Sequence, residues 1–309
     1  MLAFKNANLI DGSGRPPVGG AAILIDGDKF AAVGPSAEIP SDAVIIDLRG
    51  KTVIPGLSDA HIHIGGSSGL DRPGMSGRKE SYDFVEMREN CLRWGVLTVR
   101  TCGQFMDEAL AFRDEVKAGT AAASPRVLVS SAMYQAPQGH PCYTVFGSEP
   151  KIEQNACVIV TDDLDIEASV QASAEAGVDF IKTFYAHLNK MNYPHPVPRL
   201  SCEALRRIVD AAHSNGLKVA AHVDSPPELA DALKCGVDFI EHLIGVGETE
   251  TELTAALVEQ ARAAGTIIVP TMISILRFDP LGSAKPVWEP LKKAVKQLYD
   301  GGVRLAVGC

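Results

Sequence analysis

Two histidines separated by one residue follow an apolar run and a Pro-Gly step early in the chain. The run contains Val53 and Ile54, and the segment ends in His61-Ile62-His63. Side chains two residues apart on a β-strand project from the same face. His61 and His63 could therefore bind one cation, because neutral imidazoles are common zinc ligands. Two solvated histidines at a strand end would have the same spacing, since a single His-x-His is a weak motif.

Alternating strand and helix patterns must position this pair. From residue 53 onward, short apolar strands alternate with helical segments, which is typical of βαβ units and a parallel sheet. Eight strands are predicted, at residues 53–63, 96–100, 126–130, 178–182, 218–222, 237–242, 266–269 and 303–307. A chain of 309 residues suits a (β/α)8 TIM barrel, which needs ~250 residues, plus a small appendage.

The predicted barrel strands carry three more candidate metal ligands at their carboxyl ends. They are Lys182 on the fourth strand, His222 on the fifth and His242 on the sixth. Active sites of (β/α)8 barrels lie at these ends, so the three side chains are expected to meet His61 and His63. Lys182 follows an apolar run, and a buried ammonium is costly unless it is paired. An ordinary ion pair at the barrel rim is the alternative for Lys182.

The first 52 residues predict a separate, smaller β-domain. Short strands and turns alternate there, and Asp26-Gly27-Asp28 is a hairpin signal. A few short strands bury too little surface to fold alone. The predicted division is therefore a small β-domain at 1–52 and a barrel domain at 53–309.

Composition and charge argue against several classes of partner. The net charge of −9 disfavours binding to nucleic acid or to an anionic membrane surface. The chain has no apolar run of about 18 residues that would predict a transmembrane helix, and no secretion signal is predicted. Seven cysteines without a CxxC pair indicate free thiols in a reducing cytoplasm.

The string Val-Ile-Pro-Gly-Leu-Ser-Asp-Ala-His-Ile-His at 53–63 resembles the first barrel strand of the amidohydrolase superfamily. Residues 95–100, 138–140 and 236–242 are similar to the branch that holds Xaa-Pro dipeptidases and imidazolonepropionase-like enzymes. The resemblance implies that residues 1–52 form half of a small β-sandwich. It also implies a small-molecule substrate. Whether the protein forms a homo-oligomer is not decided by the sequence.

The resemblance assigns the candidate ligands to two divalent metal ions, expected to be zinc. His61 and His63 would bind the first ion, and His222 and His242 the second. A CO2-derived carbamate on Lys182 would bridge the two ions. His242 and His140 are also the candidate catalytic residues.

Four residues are candidates for contacts with the substrate. His140, in the loop after the third strand, would polarise or orient the substrate carbonyl, or would only stabilise local turns. Asp224 stands where dipeptidase relatives often carry a tyrosine for a substrate carboxylate, and its charge favours a cationic or neutral group. Arg72 could bind an anion or lie exposed on the surface. Tyr185 could face the pocket or pack on the rim.

The family pattern continues past strand eight with an aspartate that binds metal and acts as general base. This chain reads Gly308-Cys309 at that point, so the aspartate would lie just past Cys309. We therefore expect a truncated protein that lacks the last barrel helix and the remaining sandwich strands.

Three functions are compatible with these residues. The first is a binuclear hydrolase in which a metal-activated hydroxide attacks an amide, peptide-like or cyclic amide carbonyl. The second is a mononuclear deaminase or imidazolonepropionase-like enzyme in which Lys182 is structural. The third is a metal-binding fragment without activity, because the strand-eight aspartate is absent. Specificity would lie in loops 65–77, 133–161 and 184–200.

Overall fold

The chain forms two compact units, Met1–Leu57 and Ser58–Cys309. The computed structural model describes the parts of the chain numbered 1–35, 37–64, 84–146, 150–187, 195–243, 253–273 and 285–309. Arg72 and the predicted specificity loop 65–77 lie outside these described residues.

The first unit is a single five-stranded sheet. Its strands are β1 (Leu2–Leu9), β2 (Val18–Asp26), β3 (Lys29–Gly34), β4 (Val44–Asp47) and β5 (Thr52–Val53). The strand order is β3-β2-β1-β4. Strand β2 pairs antiparallel with both β1 and β3, and β4 and β5 each pair parallel with β1. The predicted hairpin is confirmed, since Asp26 pairs with Lys29 across the turn. The β-sandwich stays a prediction.

Apart from Leu57, the first residue of β6, the strands that carry the candidate ligands lie in the second unit. They are β6 (Leu57–Ile62), β7 (Val96–Thr101), β8 (Arg126–Gln135), β9 (Cys157–Ile159), β10 (Phe180–Phe184), β11 (Lys218–Val223), β12 (Phe239–His242), β13 (Ile267–Val269) and β14 (Arg304–Leu305). Their order is β6-β7-β8-β10-β11-β12-β13-β14, with β9 beside β8. The pairs from β7 to β14 are parallel, as the βαβ pattern predicts.

Backbone hydrogen bonds join the two ends of this sheet. Ala60 N donates to Val307 O at 2.8 Å, and Cys309 N donates to His61 O at 3.1 Å. The sheet therefore curls back on itself as a TIM-like barrel, and all eight predicted strands occur in the predicted order.

Helices alternate with the barrel strands. The described ones are α1 (Phe84–Arg93), α2 (Met106–Ala118), α3 (Cys142–Phe146), α4 (Pro150–Ala156), α5 (Ile166–Glu175), α6 (Cys202–Ser214), α7 (Pro226–Lys234), α8 (Ala255–Ala264) and α9 (Lys285–Asp300). The side chains of Asp165, Ser201 and Thr254 cap α5, α6 and α8 by accepting a backbone N–H, which satisfies a group that has no partner within the helix. None of the described helices combines the length and apolar content needed to cross a bilayer.

The region predicted as a long loop, 133–161, is more regular than expected. Strand β8 runs to Gln135, five residues past its predicted end, and Met133 to Gln135 pair with β9. The helices α3 and α4 lie between the two strands. Sequence analysis missed this because β9 has only three residues, and such a strand is stabilised by pairing with its neighbour.

A sequence repeat marks the amino-terminal ends of two barrel strands. Gly-Val-Asp-Phe-Ile occurs at 177–181 and again at 236–240. The first aspartate, Asp179, accepts the Val129 amide at 2.8 Å, and the second, Asp238, accepts the Val219 amide at 2.9 Å. Each carboxylate therefore holds the start of the neighbouring strand. The repeat has a structural cause, and its position opposite the ligand-bearing ends agrees with that role.

Asp238→Asn is expected to lower the free energy of unfolding by about 1–2 kcal/mol at pH 7, because hydrogen bonds from Lys218 and His213 lose their charged acceptor. Burial alone would raise the pKa of Asp238, but Lys218, His213 and the Val219 amide hold it below its ordinary value. The stabilisation is thus complete above about pH 4 and is lost as the pH falls through the lower folded-state pKa.

Urea denaturation at pH 7 and at pH 3 measures both effects. Asp162→Asn, at an exposed position, is the matched control and should change neither value. Equal stabilities of the two variants at pH 7 would contradict the structural role of the repeat.

Candidate active site

Five imidazole rings form a row across the carboxyl-terminal ends of the barrel strands. In order, this histidine row consists of His63, His61, His242, His222 and His140. Successive ring centres are separated by 5.1, 4.6, 4.3 and 4.7 Å. The structure therefore brings together the four histidines predicted as metal ligands and the loop histidine predicted to contact the substrate.

Hydrogen bonds fix the tautomers of His61 and His63. The Nδ1 of His61 lies 2.6 Å from the Glu241 carboxylate, and the Nδ1 of His63 lies 2.9 Å from the Gly103 carbonyl. Carboxylates and carbonyls only accept, so each Nδ1 carries the proton and each Nε2 carries a lone pair. These two Nε2 atoms face each other at 3.2 Å. Two lone pairs at this distance repel unless a cation lies between them.

The donor set of this pair fits zinc. Zinc binds histidine nitrogens at ~2.0–2.1 Å in tetrahedral geometry, which places two such nitrogens about 3.4 Å apart. The observed 3.2 Å between the Nε2 atoms is close to that value. Burial lowers the pKa of His61 to about 4, so its ring is neutral and able to bind a metal at pH 7.

Gly103 allows the close approach that orients His63. Its backbone has a φ of +153°, and an added Cβ would lie 2.8 Å from the Met133 sulfur and 3.3 Å from His63 Nδ1. A larger residue would displace the ring from its carbonyl partner. The Gly103 position is therefore part of the site, although it carries no side chain.

His242 is held in an unusual backbone conformation. Its φ is +79°, a left-handed value that is uncommon outside glycine, and Leu243 follows with +59°. In a regular strand the His242 side chain would point opposite to that of Glu241. The left-handed turn instead brings the ring beside His61 and His222, with its Nδ1 2.7 Å from the Thr271 hydroxyl. Strained residues of this kind cluster at functional sites.

Lys182 is sealed inside the barrel. Its side chain is 0% exposed, and Nζ has no hydrogen-bond partner within the described structure. Its Nζ lies 4.8 Å from the centre of the Phe184 ring. Burial lowers the pKa of Lys182, although the Glu241 carboxylate opposes that effect. Among the described residues Lys182 forms no ion pair of the kind considered for the barrel rim, and its amine is a buried polar group without a hydrogen bond there.

The Asp224 carboxylate, directly after β11, orients His222. Asp224 is buried and accepts a hydrogen bond from His222 Nε2 at 2.8 Å. The Glu228 carboxylate in turn accepts the amides of Asp224 and Ser225, both at 3.1 Å. Phe184 stacks on the His222 ring with centres 4.9 Å apart. The His222 ring is thus supported by charge on one side and by packing on the other.

The loop histidine reaches the row because its neighbour is a glycine. A Cβ on Gly139 would lie 2.9 Å from the carbonyl oxygens of Ala136 and Pro198, so no larger residue fits there. His140 is buried, and its Nδ1 lies 2.5 Å from the Thr144 hydroxyl. This contact sets the orientation of the His140 ring.

Tyr185 points into the helical layer. It is fully buried, and its hydroxyl lies 2.9 Å from the Cys202 sulfur and donates to Asp231 at 3.2 Å. Both partners belong to the outer helices α6 and α7. The alternation of side chains along β10 explains the direction, since Lys182 and Phe184 point inward.

Two buried charged residues were missed by sequence analysis. Glu241 and Arg100 form an ion pair inside the barrel, and Glu241 also contacts His61. Burial alone would raise the pKa of Glu241, but His61 and Arg100 together hold it below its ordinary value. An available signal was the charge of each residue within an apolar strand, since a charged residue is rarely buried without a partner.

One further group of possible metal ligands overlaps the histidine row. Ligand atoms of His61, Cys102 and Glu241 lie within 4.8 Å of one another. Burial raises the pKa of the Cys102 thiol to about 12, so it stays protonated at neutral pH. A metal bound there would have to displace the thiol proton, whereas His61 and His63 already present facing lone pairs.

Comparisons with known proteins agree with this architecture. An enamidase of Eubacterium barkeri is 26% identical over 257 residues, which cover 78% of this chain and 56% of the enamidase. An imidazolonepropionase of Cutibacterium acnes is 34% identical over 102 residues, or 32% of this chain and 22% of that protein. A crystal structure of a Xaa-Pro dipeptidase with bound methionine superposes with a TM-score of 0.76 and 23% identity, covering 99% of this chain and 78% of that one.

The chain spans about three fifths of the length of the first curated relatives it matches, at 59% for an uncharacterised protein of Mycobacterium tuberculosis. Residues 52–287, which include most of the barrel, match the amidohydrolase family. This match covers well over half of the sequence and includes all five members of the histidine row. The chain belongs to the amidohydrolase family.

Proposed function

We propose that this chain is the barrel of a metal-dependent hydrolase that cleaves a carbon–nitrogen bond of a small amide, peptide-like or cyclic amide substrate. The observation that carries the proposal is the fully buried Lys182 amine, which lacks a hydrogen-bond partner within the described structure and is near enough to His61 and His63 to lower the pKa of both rings. A buried polar group without a partner is rare in native proteins and calls for a ligand or a modification.

The histidine row supplies ligands for two divalent ions, which we propose to be zinc. His61 and His63 would hold one ion, and His222 and His242 the other. When bound, such ions supply a Lewis acid and a hydroxide at neutral pH, because they lower the pKa of bound water to ~7. The protein contributes the orientation of each ring through Glu241 and the other hydrogen-bond partners.

Lys182 would bridge the two ions as a carbamate. The neutral amine would attack CO2, form a C–N bond and release one proton, so an uncharged amine would become an anionic carbamate. Burial favours this reaction because it lowers the pKa of Lys182 and so populates the neutral amine. The anionic product would also offset positive charge in a region that would hold two metal ions.

His140 is the proposed contact to the substrate carbonyl. It is buried at the His222 end of the row, and the Thr144 hydroxyl holds its ring. An imidazole N–H placed there can donate to an oxygen on which negative charge develops. Asp224, which pairs with His222, adds negative charge near the same end and disfavours a substrate carboxylate. A role for Arg72 in binding an anion stays a prediction.

The alternative is a mononuclear enzyme similar to imidazolonepropionase or a deaminase. The local 34% identity to an imidazolonepropionase over 102 residues favours it. In that case Lys182 would remain an amine and only one ion would be held. The barrel of this chain could also bind metal without catalysing a reaction.

Lys182→Ala should lower the zinc content from about two ions per chain to about one, because the bridging carbamate is lost. Elemental analysis of the zinc-loaded full chain measures this. Lys117→Ala, at an exposed position, is the matched control and should retain the wild-type content. One ion regardless of Lys182 would favour the mononuclear alternative, and no bound zinc in any variant would contradict the proposed function.

His140→Ala should lower kcat/KM by about 100-fold without changing zinc content, because one donor to the developing oxyanion is removed. The assay uses the wild-type protein and a panel of dipeptides, N-acyl amino acids and cyclic amides. Lys117→Ala, at an exposed position on α2 outside the predicted specificity loops, serves as the control. An unchanged kcat/KM would exclude His140 from the reaction, and a parallel loss of zinc would assign it to the metal site instead.

A further inference from the structure

We infer that Glu241 is a positioning residue that sets the tautomer of His61 and thereby aims its Nε2 at the metal. This inference rests on the proposed metal-dependent function. Glu241 is 0% exposed and His61 is 1% exposed, and they stand 180 residues apart in the chain. The contact therefore exists only because β6 and β12 are both part of the closed barrel.

Both oxygens of the Glu241 carboxylate have a defined partner. Oε2 accepts from His61 Nδ1 at 2.6 Å, and Oε1 accepts from the Arg100 guanidinium. An ionised carboxylate can only accept, so the proton of the neutral His61 ring must lie on Nδ1. The remaining nitrogen, Nε2, is thereby left as a lone-pair donor facing His63.

Arg100 stabilises this arrangement through contacts with Glu241 and with the backbone before His61. Its guanidinium packs against the rings of Phe180 and Phe239, at 4.9 and 4.4 Å from the ring centres. Its Nε donates to the carbonyl of Ala60 at 2.7 Å, and Ala60 directly precedes His61. One guanidinium therefore fixes both the backbone before His61 and the carboxylate that orients its ring. Partners of metal-bound histidines commonly tune metal affinity in this way.

A rival interpretation makes Glu241 itself a metal ligand, together with His61 and Cys102. The three residues are close enough, with ligand atoms within 4.8 Å. The contacts favour the positioning role, since both Glu241 oxygens are engaged and the Cys102 thiol is directed at the carbonyls of Ala60 and Arg100, at 3.9 and 3.8 Å. The two interpretations differ in the effect expected from changing Cys102.

Glu241→Gln separates these roles because it keeps the shape and reverses the hydrogen bond. The new amide can accept from Arg100 only through its oxygen, which leaves its NH2 group facing His61. His61 Nδ1 must then accept, and the proton moves to Nε2, where it blocks the metal. We expect a zinc Kd that is about 10–100-fold weaker and a His61 ring protonated on Nε2. Zinc titration and 15N NMR of the metal-free protein measure the two effects.

Three further variants complete the test. Glu259→Gln breaks a comparable pair with Arg262 on the surface and should leave the zinc Kd unchanged. Cys102→Ser should also leave it unchanged. The double variant Arg100→Met with Glu241→Leu replaces the whole buried ion pair by apolar groups, which proteins often tolerate. This double variant should fold, but its zinc Kd should be at least about 10-fold weaker than that of the wild type.

The outcomes are distinguishable. An unchanged zinc Kd and an unchanged His61 tautomer in Glu241→Gln would overturn the positioning role. Loss of zinc in Cys102→Ser, with a thiolate-to-metal absorption band in the cobalt-loaded wild type, would assign Glu241 and Cys102 as ligands and also overturn it. A wild-type chain that binds no zinc would refute the proposed function, while the Nδ1 proton of His61 would still report the Glu241 contact in the metal-free protein.

Discussion

Polar groups inside a closed barrel must find partners within the protein, because water does not reach them. The ion pair of Arg100 and Glu241 is the clearest case, since it lies beneath the histidine row and bonds to His61. Lys182 differs, because its amine has no hydrogen-bond partner in the described part of the chain, whereas the Arg100 guanidinium leaves only Nη1 without one. The contrast between the bonded ion pair and the lysine amine is the basis on which we propose that another group binds at Lys182.

Three kinds of partner orient the five histidines of the row. A carboxylate holds His61, a backbone carbonyl holds His63, and a hydroxyl holds His242. These partners come from different strands or from the segments just after them. Rings held in this way lose little freedom when a metal binds, so the barrel contributes preorganisation as well as ligands.

The two ends of the barrel have separate roles. At the amino-terminal ends, the repeated aspartates Asp179 and Asp238 tie neighbouring strands together. At the carboxyl-terminal ends, the backbone departs from regular geometry, most clearly at His242 with its φ of +79°. Stability is thus concentrated where no ligand binds, and strain is placed where the proposed chemistry occurs. This division is common to (β/α)8 barrels and explains how one scaffold supports many reactions.

The sequence by itself determined the alternation of strands and helices, the eight barrel strands and the residues of the histidine row. Those features are local, because the hydrophobic period and the strand-end positions of His61, His222 and Lys182 can be read along the chain. Only the tertiary structure decided which groups face each other. The contact of Glu241 with His61, the left-handed turn at His242 and the pairing of β9 all depend on closure of the barrel. Partners brought together across 180 residues leave no local pattern, since their energy comes from burial in a shared interior.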